Sequence, residues 1–185
     1  MDLPNKKYQI IYADPPWEVN AGPPWSSSNG KSQPLDYPTM SIDEIKNLPV
    51  KEISAEDSHL YLWVINKYIK EGYEIADEWG FKPSCLLTWC KPKHGLGLGG
   101  AFIQTTEHLL FCRKGSLPHL KRIDSSWFMH NRLTHSEKPP LFRQMILEVS
   151  GDLPRIELFA RQRWGDWDCY GNELSKTIQE NLELR

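Results

Sequence analysis

From Tyr8 to Ala13 the chain reads Y-Q-I-I-Y-A, an alternating run rich in Ile and Tyr that predicts a buried strand. Similar runs predict strands at His59–Ile65 (HLYLWVI), Cys85–Cys90, His108–Arg113 and Arg155–Phe159, with a last one expected at Cys169–Gly171. Helical patterns fall between them. Ser41-Ile-Asp-Glu44 has the S-x-x-E form of a capping box and should open a short helix that stops before Pro49. Asn66 is the expected cap of a helix over Lys67–Trp79, with Gly80 as its stop. Lys138–Val149 is amphipathic and opened by prolines. Two long loops are expected, Asn20–Pro38 and the stretch KPKHGLGLGGAFIQTT, and residues 115–136 read as irregular. No repeat is visible. Strands alternating with helices predict an α/β fold of one domain, residues 1–185, with a largely parallel sheet and an antiparallel edge. Such sheets bind ligands at the carboxyl ends of their strands.

Charge narrows the options. The formal net charge is -2 and the signs are mixed along the chain, so no overall field recruits a polyanion. A nucleic-acid binder of this composition needs a local basic patch or a partner; the loop candidates are Lys31, Lys93, Lys121, Arg122 and Arg132. The four cysteines form no C-x-x-C and are expected as reduced, buried thiols, as in a cytosolic protein. Cys85, Cys90, His94, His108 and Cys112 match no zinc spacing, and positions 85 and 90 have opposite parity in a strand, so no metal is expected. The start, MDLPNKKYQI, has no apolar leader core, and nowhere do 18 apolar residues run together; no signal peptide or membrane span is expected.

The first strand runs into Asp14-Pro15-Pro16-Trp17. Proline lacks an N–H, so the pair ends the ladder and stiffens the chain, while its carbonyls remain acceptors. A carboxylate, two rigid carbonyls and an indole suit a planar amine that donates two hydrogen bonds while its ring stacks. The plainer alternative is a tight turn with a core tryptophan.

Further segments follow in order: LDYPTMSIDEI (Leu35–Ile45), HLYLWVINKYIKEGYEIADEWGFK, EHLLFCRKG (Glu107–Gly115), HSEKPPLF (His135–Phe142), RIELFAR (Arg155–Arg161) and YGNE (Tyr170–Glu173). Together with ADPPW they resemble the MT-A70 family of DPPW-type adenine-N6 methyltransferases, over about residues 8–174. The resemblance implies a Rossmann-like methyltransferase fold with S-adenosylmethionine as methyl donor. It also implies a circularly permuted order, with the catalytic strand first and the cofactor strand late. The literal G-x-G-x-x-G at Gly95–Gly100 leads into another strand rather than a helix, so it is not a dinucleotide fingerprint; a flexible gate and an inert loop both remain open for it.

By the same resemblance, Asp14 and the Pro15 carbonyl would each accept one amine N–H, with Pro16 holding the turn and Trp17 stacking the base. Tyr37, at the family's matching tyrosine, would line the base pocket; Lys121 and Arg122, as basic residues in a predicted loop, are the candidates for meeting the substrate backbone. Lys138 would meet the methionine carboxylate, while Glu157, Leu158, Phe159, Arg161, Arg163, Asn172 and Glu173 would hold the adenosine end. Asp2 and Leu3 are candidates for flanking the cofactor adenine. Two departures stand out: Arg161-Gln-Arg163-Trp164 replaces R-P-H-N, and Glu173 replaces a glutamine. The expected substrate is adenine in nucleic acid, DNA before RNA. The chain resembles the compact bacterial or phage members and is expected in the cytoplasm; a target in a duplex must be flipped out, and the thin basic footprint implies weak binding, dimerisation or a partner. A non-catalytic nucleic-acid-binding subunit and a small-molecule N-methyltransferase are the competing classes.

Overall fold

The structure, a computed structural model, describes residues 3–18, 38–92, 101–132, 137–171 and 174. Among the described residues one sheet contains seven strands: β1 (Tyr8–Ala13), β2 (Ser54–Val64), β3 (Lys82–Cys90), β4 (Thr106–Lys114), β5 (Trp127–Met129), β6 (Arg155–Leu158) and β7 (Asp168–Tyr170). Their order across the sheet is β5-β3-β4-β2-β1-β6-β7. β1 is interior and parallel to both neighbours, β2 and β6. An interior parallel strand is covered on both faces, which accounts for its nearly unbroken apolar run.

β4 is antiparallel to β2 and to β3. The antiparallel strand expected at an edge therefore lies inside the sheet. Its central Leu109 and Leu110 are fully buried on opposite faces, as an interior position requires. Residues 115–136, expected to be irregular, contribute the short strand β5, which pairs with β3 at the sheet edge.

Helices cover both faces: α1 (Ile42–Lys46), α2 (Val50–Ile53), α3 (Ile69–Glu78) and α4 (Pro140–Ser150). The capping box forms, with the Glu44 carboxylate accepting from the Ser41 N–H at 2.7 Å. Pro140 stands at the start of α4, where its missing N–H costs nothing. Gly80 follows α3 at φ +82°, a left-handed conformation that glycine adopts without strain. The expected Asn66 cap is corrected: residues Asn66–Tyr68 form a 3-10 turn, and the Asn66 amide donates to the Thr106 carbonyl at 3.0 Å. The side-chain oxygen that would cap the helix accepts from the His108 Nε2–H at 3.0 Å instead.

Strand alternation sorts the core. Ile11, Ala13, Leu60, Leu62 and Val64 face α1 and α3, whereas Ile10, Tyr12, Tyr61 and Trp63 face α4, with its Phe142 and Ile146. Each such large side chain, fully buried, contributes roughly 1.5–3 kcal/mol. The α4 face also holds a polar chain. The His59 Nε2–H donates to the Leu117 carbonyl at 3.1 Å, so Nδ1 accepts from the Ser150 hydroxyl at 2.8 Å, and the Tyr61 hydroxyl in turn donates to Ser150. Of the four free cysteines only Cys112 is buried; Cys85 is exposed, because it lies on the outer part of β3. Among the described residues, no helix is long and apolar enough to cross a membrane.

Candidate active site

The strand ends deliver charge to one rim. β1 ends at Ala13 and Asp14 follows; β3 ends at Cys90 and Lys91 follows. Because β4 is reversed, its beginning reaches this same rim, with Thr106 opposite Cys90 and Glu107 opposite Trp89. Lys138 arrives from the segment just before α4.

These four side chains form one row. The Lys138 ammonium lies 2.5 Å from Asp14 Oδ2 and 3.5 Å from Glu107 Oε2, and Glu107 Oε1 pairs with Lys91. The floor is aromatic: the Lys138 Nζ stands 5.3 Å from the Trp63 ring centroid and the Lys91 Nζ 4.7 Å from that of Trp89. Asp14 is the most open of the four, its side chain 27% exposed against 10% for Lys138. Burial raises the Asp14 pKa above the ordinary carboxylate value, although Lys138 and Arg161 oppose it. Burial also works against the Lys138 ammonium, but Asp14 and Glu107 more than offset it and its pKa is raised. Glu107 is buried as well, yet its two lysines hold it below the usual range. The result is a carboxylate at Asp14 that keeps proton affinity beside a firmly charged cation.

The turn after β1 is stiff. The Pro15 carbonyl accepts from the Trp17 N–H at 2.8 Å, and the Pro16 carbonyl accepts from the Met40 N–H at 2.9 Å. A carbonyl has two lone pairs, so Pro15 retains a second acceptor direction. Trp17 departs from the expected open stacking surface. It is 4% exposed, its ring stacks on Tyr68 at 5.4 Å, and its indole N–H donates to the Trp63 carbonyl at 3.1 Å. The indole braces the Asp14 turn against the core instead of presenting a face to a base.

Past β6, Phe159 adopts φ +62°, rare for a residue with a bulky side chain and the kind of strain that gathers at functional turns. Arg161 lies within electrostatic reach of Asp14. Gly171, opposite Ala160, leaves no room for a Cβ against that residue's backbone, so the glycine of YGNE is a packing requirement. Leu158 is a core residue and Leu3 packs on the same core; Arg163 is exposed.

Glu157 also differs from expectation. Both its oxygens accept from Arg143, at 2.6 and 2.8 Å, in a buried bidentate pair, so its carboxylate is turned to α4. Arg143 is sandwiched between the Tyr12 and Trp164 rings, 5.3 and 4.6 Å from their centroids. Its Nη1 and the Trp164 indole N–H are buried donors with no acceptor among the described residues.

Lys121 and Arg122 are not at this rim. Leu120 bonds to Val149, and Lys121 pairs with Glu148 at 2.8 Å, near the far end of α4. The eleven residues of α4 span about 16 Å, so both cations stand at the opposite end of the sheet from Asp14. Asp2, Tyr37, Asn172, Glu173, Lys31, Lys93 and the Gly95–Gly100 loop lie outside the described residues. Sequence reasoning missed Lys91, Glu107 and Arg143. Strand parity held a signal for two of them: Leu87, Trp89 and Lys91 share a face, as do Glu107, Leu109 and Phe111, so each charge continues an apolar face onto the rim.

Comparison with known proteins agrees with this architecture. The MT-A70 family profile matches residues 8–173. The type II methyltransferase M.MunI of a Mycoplasma species is 31% identical over 188 residues, covering 93% of this chain and 80% of its own length. The putative N(6)-adenosine-methyltransferase MT-A70-like protein of Medicago truncatula is 28% identical, and its probable counterpart in Oryza sativa subsp. japonica 27%, each across 97% of this chain. The chain spans only 29% and 25% of those two plant proteins. With a profile match that runs from the first strand through the last, and with the Asp-Pro-Pro-Trp turn on the rim beside β6, this chain belongs to the MT-A70 family.

Proposed function

We propose that the protein is an adenine-N6 methyltransferase acting on nucleic acid, with residues 1–185 forming one catalytic domain in a circularly permuted order. Membership of the MT-A70 family supports S-adenosylmethionine as the cofactor. The residues present fit it. Lys138 and Arg161 suit its carboxylate end, and the two buried donors that have no acceptor among the described residues, on Arg143 and Trp164, suit a ligand rich in acceptor atoms. When bound, that cofactor supplies a methyl group activated by a sulfonium. The permuted order is supported by the neighbouring of β1 and β6, the first strand and a late one.

The single observation that carries this reading is Asp14 at the end of an interior strand, partly open and tied to Lys138 at 2.5 Å. An adenine amine is a weak nucleophile because its lone pair is delocalised into the ring. Asp14 accepts one N–H of that amine and the second lone pair of the Pro15 carbonyl accepts the other, which favours a pyramidal nitrogen and stabilises the positive charge that develops there. Trp17 keeps the turn in place from behind. Tyr37, Asn172 and Glu173 remain candidates for the base and ribose contacts, and Phe159 for the turn over the adenosine end.

Either polynucleotide is compatible with this chemistry. The relatives named for N(6)-adenosine favour RNA, whereas M.MunI, named a type II methyltransferase, is matched over most of its length and keeps DNA as the second reading. The test is transfer of tritiated methyl to single- and double-stranded RNA and DNA, with Asp14→Ala as the control. Loss on the order of a hundredfold or more, with cofactor affinity retained in calorimetry, is expected. Undiminished transfer by Asp14→Ala removes Asp14 from the mechanism. A wild-type chain that binds nucleic acid but not S-adenosylmethionine would instead be the non-catalytic subunit.

A further inference from the structure

The outer strand β5 is unusual for a sheet edge. Edges are commonly blunted by charge or proline, yet Trp127 is 57% and Met129 67% exposed. The strand itself is well anchored. Phe128 points inward and meets Phe142 edge-on at 5.6 Å. The His130 N–H donates to the Cys90 carbonyl, and its own carbonyl accepts from the Trp89 indole at 2.8 Å. Trp127 and Met129 are therefore held outward by their neighbours.

The surroundings select the partner. The whole chain carries slightly more acid than base, but residues 83–92, 101–106 and 125–132 contain no Asp or Glu, and Asp124, just before the last of these, lies 3.7 Å from the Arg122 guanidinium. They do contain Lys91, His130 and Arg132, and Phe102 is a further exposed ring at 87%. Glu107, the acid that follows, is covered by Lys91 and Lys138. Arg132 is near enough to Lys91 to weigh on its ammonium. A three-residue edge offers too little backbone for adding a protein strand. Exposed rings beside the Arg132 guanidinium, with the neighbouring carboxylates Glu107 and Asp124 each paired with a cation, are what an unpaired polynucleotide requires.

We propose that Trp127 and Met129 form a stacking platform for an unpaired nucleic-acid strand whose target adenine lies at Asp14, with Arg132 meeting its phosphates. This rests on the function proposed above and supplies the exposed aromatic that Trp17 does not. From β1 to β5 there are four inter-strand steps, about 19 Å in all. At the ~3.4 Å rise of a stacked strand that is five or six nucleotides, so the platform acts on flanking bases.

The test is fluorescence anisotropy of the full chain with labelled single-stranded oligonucleotides of one adenine, twelve or three nucleotides long, in RNA and DNA. For the twelve-mer, Trp127→Ala should weaken binding about tenfold and Trp127→Phe by no more than about threefold. For the trinucleotide, which cannot reach β5, Trp127→Ala should bind as the wild type does. Affinity for S-adenosylmethionine and the thermal midpoint should be unchanged in both variants. If Trp127→Ala binds the twelve-mer as tightly as the wild type, the platform is wrong while the proposed function stands. Equal loss on both lengths, or conversion of a dimer to a monomer by Trp127→Ala, makes the surface structural or a protein interface and also overturns it. If the wild type binds neither oligonucleotide and transfers no methyl group, the functional reading falls as well.

Discussion

Replacing Lys138 by Met removes the cation that meets Asp14 and leaves a side chain of similar length. Lys138 is 10% exposed, so its charge is poorly replaced by solvent. Removing one partner of a buried pair costs about 3–5 kcal/mol. Asp14 retains some solvent contact and the nearby Arg161, and Glu107 keeps Lys91, so roughly 2–3 kcal/mol is expected at neutral pH. For a domain of this size that corresponds to a thermal midpoint lower by about 4–12 °C. The pH dependence separates charge from packing. A carboxylate whose folded pKa is raised loses stability as pH rises from its unfolded value through its folded value, because the folded state holds the proton more tightly. Without Lys138 that pKa rises further, so the penalty grows across a window that extends upward from about 4. Urea unfolding of both proteins from pH 5 to 8 should show a deficit that shrinks towards acid pH. The double variant Asp14→Asn, Lys138→Met should recover most of the loss, since no buried charge is stranded. A deficit that is flat with pH, or a double variant no better than the sum of the single ones, would refute the charge argument.

Other variants probe the remaining contacts. Trp17→Ala should destabilise the fold by about 3–5 kcal/mol in chemical denaturation, as expected for a core indole stacked on Tyr68; a loss of substrate affinity with unchanged stability would restore the stacking role. Arg143→Lys should fail to rescue Arg143→Met in thermal melts, because one ammonium cannot replace the bidentate grip on Glu157. Ser150→Ala should cost about 1–3 kcal/mol by leaving His59 and Tyr61 short of a partner. Burial depresses the folded His59 pKa, so below about 6.5 the unfolded chain takes up the proton first and stability falls; His59→Gln should flatten that part of a stability–pH profile.

The local elements of this fold are legible in the order of its residues. The Ser41–Glu44 capping box, the Gly80 stop, the prolines opening α4 and the apolar run of β1 each depend on neighbours within one or two turns. So was the position of Asp14, since a strand followed by two prolines ends where ligands bind in such sheets. Where the readings diverge, the deciding partner is distant in the chain. Trp17 is a brace because Tyr68 and Trp63 cover it; Asn66 leaves its helix because Thr106 is across the sheet; Glu157 is closed because α4 brings Arg143 to it. The reversal of β4 inside the sheet puts Glu107 on the rim, and no local pattern encodes a strand's place in the order. Lys138 and Asp14 stand 124 residues apart and meet at 2.5 Å. Propensity and alternation act between adjacent residues, whereas these contacts follow from the packing of whole layers, where burial and charge compensation select among side chains that the chain alone leaves equivalent.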